Sequence, residues 1–145
     1  MNPNVRTIAL LFALAAPVVI AAKPVERKDL PPAVQKTIAR ELEGATLKGI
    51  STEKCLGKIC YEIETMRGAK SRDFVVDEAG VVVEAEDEID PADLPQPVQA
   101  AAAKFGTVVR VEKLTKQGVV TFEVALKAGN KKLDRTFLPD GTVKN

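Results

Sequence analysis

The chain of 145 residues contains no histidine and no tryptophan, and it has one tyrosine, two cysteines and two serines, Ser51 and Ser71. Without histidine, the usual base for a serine or cysteine nucleophile is missing, and the commonest imidazole ligand for zinc is missing as well. There is no glycine-rich phosphate cradle. Carboxylate pairs such as Glu62 and Glu64 are expected to be solvated on a strand's polar face, so the chain is expected not to be an enzyme and to need no cofactor. The 21 basic residues nearly balance the 20 acidic ones, which argues against a dedicated nucleic-acid binder.

Only one long apolar run is present, from Ile8 to Ala22, with Arg6 the sole charge before Lys23. A basic start, an apolar stretch and small residues at Ala21 and Ala22 form the pattern of a secretory signal. The run falls short of the ~20 residues needed to span a bilayer. Residues 1–22 are therefore expected to be a cleaved leader, with a retained anchor the alternative. The mature chain is expected in the periplasm or secreted, with no stable membrane insertion.

The remainder shows internal self-similarity, the signature of repeated units. Asp29-Leu30-Pro31-Pro32-Ala33-Val34 recurs as Asp93-Leu94-Pro95-Gln96-Pro97-Val98, and Gly57 through Ile63 recurs as Gly118 through Val124. Leu30, Val34, Ile38 and Leu42 recur at four-residue steps along one helical face, and Leu94, Val98, Ala101 or Ala102, and Phe105 do so more briefly. Proline is tolerated in a first helical turn, and Gly44 and Gly106 stand where each helix should stop. Ile59, Tyr61 and Ile63 alternate with polar residues, as do Val120, Phe122, Val124 and Leu126, so both stretches read as half-buried strands. Two more strands are expected near Arg72 to Asp77 and Val81 to Ala85, joined at Gly80. Leu47 to Lys54 alternates poorly, which predicts a bulge. The expectation is an α+β fold of two tandem repeats, 23–83 and 94–145, each one helix followed by about four antiparallel strands.

Between them, Glu84 to Asp93 holds six acidic residues and no basic one. It reads as a solvated acidic linker, with a weak calcium site the alternative. From Leu94 onward nine basic residues face four acidic ones.

Cys55 and Cys60 flank Gly57-Lys58. A two-residue type II′ turn there would place the cysteines opposite each other, within reach of a disulfide, and an exported protein meets an oxidising compartment. Free thiols or a metal site are the alternatives.

The Leu-Pro helix start, the hairpin with Tyr61-Glu62-Ile63 and the Asp77-Glu78-Ala79-Gly80-Val81-Val82 ending resemble PepSY and PepSY-like domains of bacterial envelope proteins. The second stretch departs slightly, with Leu138-Pro139-Asp140-Gly141-Thr142-Val143. The resemblance implies an α+β fold similar to tandem-repeat inhibitors of β-lactamase, and a role in restraining peptidases or binding envelope partners; it carries over no catalytic residue. The expected function is thus a non-catalytic binding or inhibitory module for an envelope or secreted protein. The alternative is a scaffold or sensor that engages anionic envelope polymer through Arg110, Lys113, Lys116, Lys131, Lys132 and Arg135.

Overall fold

The computed structural model describes residues 23–144; the expected leader, residues 1–22, lies outside them. Nine strands follow one another in a meander: β1 (Lys23–Pro24), β2 (Thr46–Cys55), β3 (Lys58–Arg67), β4 (Lys70–Asp77), β5 (Val82–Ile89), β6 (Thr107–Lys116), β7 (Val119–Ala128), β8 (Lys131–Phe137) and β9 (Val143–Lys144). They form one sheet in chain order, and every neighbouring pair is antiparallel. Helix α1 (Pro32–Glu41) connects β1 to β2, and α2 (Gln96–Ala102) connects β5 to β6.

This corrects the expected fold class. The chain is not an α+β arrangement of two repeats, each of one helix and about four strands, but a single antiparallel sheet bearing two short helices. The correction comes from the stretch read as a solvated connector. Glu84–Ile89 lies within β5 and pairs with β6 from Glu84↔Lys116 to Ile89↔Val111, so the ladder continues without a break. A run of carboxylates suits a strand when alternate side chains point to solvent, because the side-chain period is two.

Both helices cover the same face. Against α1 pack Ile50, Ile63, Phe74 and Val76 with Leu30, Val34 and Ile38; against α2 pack Val111, Phe122, Val124, Leu126 and Phe137 with Leu94, Val98 and Ala102. Ala85 joins the first cluster and Ile89 the second. Four residues apart on one strand, they must share a face. Neither helix has a side-chain N-cap. Instead Gln35 Nε2 donates to the Leu30 carbonyl (2.9 Å) and Gln99 Nε2 to the Leu94 carbonyl (2.8 Å), tying each first turn to its lead-in.

Two turns press on the helices. A Cβ on Gly80 would lie 2.8 Å from the Ala33 carbonyl oxygen, and one on Gly141 would lie 2.6 Å from that of Pro97. Buried Thr37 donates from Oγ1 to the Gly80 carbonyl at 2.6 Å. Where α1 ends, Arg72 joins Glu41 (2.9 Å) and Asp87, and its guanidinium lies 6.0 Å from the Phe74 ring centre. The bulge expected in β2 falls between Leu47 and Gly49. At the sheet's margins β1 covers only Ser51 and Thr52 of β2, and β9 covers only Thr136 and Phe137 of β8.

Candidate functional site

The face of the sheet that bears no helix among the described residues is the candidate site. Strand parity assigns its side chains: Ile50, Ile63 and Phe74 point to the helices, so Ser51, Glu62 and Asp73 point away. The register then lines up Glu53, Glu62, Asp73 and Val75, Glu84 and Glu86, Glu112 and Leu114, and Thr121 and Glu123 across β2 to β7. This face is therefore dominated by carboxylates.

The sheet also curls toward this side. Cys60 (0% exposed), Val75 (8%) and Thr121 (2%) are buried although no helix covers them, so their cover is the sheet itself. Strands β2 and β6 stand four spacings apart, about 19 Å in a flat sheet. Yet Glu53 and Lys116 line one hollow of about 540 Å³, together with Glu62, Asp73, Glu84 and Glu86.

Among the described residues, two cations form ion pairs on this face. Lys116 Nζ lies 2.5 Å from Glu84 Oε2, and that hydrogen bond raises the lysine's pKa. Arg110 reaches Glu88 (3.1 Å) and Glu112 (2.9 Å) and also donates to Ser71 Oγ at 3.1 Å. Burial by itself would raise the pKa of Glu88, but the hydrogen bonds from Arg110 and Ser71 outweigh it and hold the carboxyl low. Between these paired ends the balance reverses. Glu86 is raised, first by burial and then by its neighbours Glu112, Glu123, Glu84 and Asp73. Glu53 is raised by burial and by Glu62 and Glu84. At Glu53, burial and the neighbouring carboxylates outweigh the opposing pull of Lys116, so the middle of the face carries more negative than positive charge.

The hairpin of β2 and β3 forms one rim. Cys55 and Cys60 are joined in a disulfide, with Cα atoms 5.8 Å apart. The expected turn at Gly57-Lys58 lies one residue earlier: Cys55 pairs with Lys58, and Leu56 (φ 50°) and Gly57 (φ 78°) form the turn. Two positive φ values mark a type I′ turn, whose twist matches the flanking strands. This register sets Ile50 opposite Ile63, both in the core, and leaves Cys60 opposite Glu53, so the disulfide runs diagonally. The turn also lifts Leu56 into solvent at 76% exposure beside the hollow.

The six cations singled out from the sequence do not form one patch. Arg110 and Lys116 are engaged by carboxylates as above. Lys113 lies opposite Asp87 on the helix-bearing face, and Arg135 lies over the Phe105 ring there, 5.5 Å from its centre. Lys131 and Lys132 stand exposed where β8 begins. Among the described residues no group of three His, Cys, Asp or Glu side chains is placed to hold a metal ion, and no helix is long and apolar enough to cross a membrane. The acid face escaped the sequence reading because its members are scattered from residue 53 to residue 123. The alternation of Glu84, Glu86 and Glu88 with Ala85 and Ile89 was the available signal.

No protein-family model matches the chain, and no curated protein sequence matches it. Solved structures do. A BLIP-like protein from Bacteroides fragilis is 21% identical, with 78% of this chain and 82% of that chain covered and a TM-score of 0.55. A Bacteroides eggerthii protein assigned provisionally to the periplasm is 17% identical, with 80% and 86% covered and a TM-score of 0.61. A DUF2874 family protein from Bacteroides uniformis is 17% identical, with 79% and 86% covered and a TM-score of 0.60. These neighbours give the chain a BLIP-like fold; PepSY is not named among them.

Proposed function

We propose that this chain is an exported, non-catalytic module that binds another protein of the bacterial envelope or its surroundings through the helix-free face of its sheet. The observation that carries the reading is Leu56: an apolar side chain 76% exposed, at the tip of a disulfide-clamped hairpin, beside a hollow in an otherwise uncovered face. Its φ of 50° is a conformation that costs a non-glycine residue about 1–2 kcal/mol. Asparagine or glycine would sit there more easily, so the leucine stands against the local preference of the backbone. An exposed apolar side chain beside a polar hollow offers a partner both apolar area to bury and polar groups to pair, the two ingredients of a protein interface. The disulfide, the apolar leader pattern and the provisionally periplasmic neighbour support export. Engagement of anionic polymer has less support, since the cations it would need are divided between two faces and two of them are already paired.

Site-specific photocrosslinking tests the proposal. A photoreactive residue replacing Leu56 should yield a discrete, saturable protein adduct in envelope extract, while one replacing Lys36, exposed on α1, should not. Absence of an adduct at 56, or equal labelling from both positions, would overturn the proposal.

A further inference from the structure

The helix-free face also specifies the chemistry of its occupant. We infer that the hollow receives a lysine- and arginine-rich segment of the partner, laid across the strands from β2 toward β6. This rests on the reading that the face binds protein, and it adds what that protein must present.

The argument is one of charge complementarity on an uncovered sheet face. Glu53, Glu62, Asp73, Glu84 and Glu86 converge on one hollow from four strands; two lysines, Lys54 and Lys116, also line it, and of these Lys116 makes a close ion pair, with Glu84. Glu62 accepts only a neutral hydrogen bond, from Ser51 Oγ at 3.1 Å, and the Asp73 carboxylate accepts one from the Thr65 backbone N–H at 3.0 Å. Holding carboxylates this close, over a floor of Val75 and Val83, costs folding free energy through mutual repulsion in a partly water-excluded site. The pKa of Glu86 is raised first by its burial and then by its carboxylate neighbours Glu112, Glu123, Glu84 and Asp73. An incoming ammonium or guanidinium removes that repulsion on arrival, and low-dielectric walls focus the field that draws the cation in.

The three internal ion pairs show what such an occupant would do. Lys116 on Glu84, and Arg110 on Glu88 and Glu112, flank the unfilled middle and neutralise their own carboxylates at 2.5–3.1 Å. A basic segment would repeat that chemistry at Glu62, Asp73 and Glu86. The width to be spanned, at most about 19 Å, corresponds to roughly six extended residues. Leu56 at the rim would meet the partner's apolar surface beside its cations.

The test is fluorescence anisotropy with the leaderless chain and labelled peptides of roughly ten residues, enough to overspan the hollow: one of lysine and arginine, one of glutamate, one of serine and glutamine. Only the basic peptide should bind. Its affinity should fall about tenfold or more between ~0.02 M and ~0.5 M salt, as the Debye length shrinks from roughly 20 Å to roughly 4 Å. The double variant Glu62→Gln, Glu86→Gln should weaken binding about tenfold while preserving the circular dichroism of the fold. Lys116→Gln, which frees Glu84, should strengthen binding severalfold, and Lys36→Gln on the other face should change nothing. Failure of the basic peptide to bind at low salt overturns the inference, as does binding that the Gln variants leave unaltered. If position 56 still crosslinks a partner while the peptide fails, the binding module stands and its cationic occupant falls. Peptide binding without any crosslinked partner would instead sink the proposed function and leave the charge reading intact.

Discussion

Replacing Gly80 with alanine should cost about 3 kcal/mol of folding stability, from two separable sources. The first is conformational: Gly80 has φ +83°, a region that penalises an L side chain by about 1–2 kcal/mol. The second is steric, since the new Cβ would sit 2.8 Å from the Ala33 carbonyl oxygen and 3.0 Å from its carbonyl carbon, both backbone atoms of α1. Relief requires the turn to withdraw from the helix, which stretches the 2.6 Å hydrogen bond from buried Thr37; overpacking of this kind costs about 1–3 kcal/mol. Gly118 supplies the control. It has φ +79° but nothing within 4 Å of a built Cβ, so Gly118→Ala should show the conformational part alone. In urea, with a slope of about 1.5 kcal/mol per molar, Gly80→Ala should lower the midpoint by about 2 M and Gly118→Ala by about 1 M. Equal midpoints for the two variants would refute the claim that the β4–β5 turn is clamped onto α1.

Arg72→Met should cost about 2 kcal/mol, because it strands Glu41 and Asp87 without their shared cation. Adding Glu41→Gln and Asp87→Asn should recover most of that loss in thermal unfolding. Glu41 is held low in pKa, by hydrogen bonds from Arg72 and Arg40 that outweigh its burial. Its stabilising contribution is therefore present above its unfolded value of about 4.5 and lost as pH falls through the folded value. Glu86 has the opposite sign. Its raised pKa means the folded state binds the proton more tightly, so stability falls as pH climbs from the unfolded to the folded value. Glu86→Gln should thus stabilise the protein at neutral pH by up to about 1 kcal/mol, with the gain vanishing below about pH 4 in paired unfolding curves. Reducing the Cys55–Cys60 bond should cost at most about 2 kcal/mol, since the closed loop is short; unfolding curves with and without reductant would measure it. A loss well above that would mean the hairpin cannot form without the bond.

Local periodicity in the sequence located the helices and most strands. Leu30, Val34 and Ile38 share a helical stripe and are buried; Ile63 and Phe122 alternate with polar neighbours and face the core. What escaped was pairing between distant segments. Asp87 breaks the apolar alternation of β5, and six carboxylates look like a solvated tether until Arg72 is seen to take Asp87 on one face while Lys116 and Arg110 take Glu84 and Glu88 on the other. The turn register was missed for a similar reason. Leu56 is a poor choice for positive φ, so local preference pointed to Gly57-Lys58, and the pairing of Ile50 with Ile63 in the core overrode it. The acid hollow depends on the same long-range register and has no signature within any one segment.

β9 pairs with only two residues of β8, so among the described residues no strand lies alongside the outer edge of β8 from Lys131 to Arg135. An uncovered strand invites recruitment by a stray extended chain. Here such an intruder would have to settle alongside Lys131, Lys132 and Arg135, stripping water from each. A row of charged side chains along a sheet edge is the kind of barrier that keeps an open strand from templating aggregates.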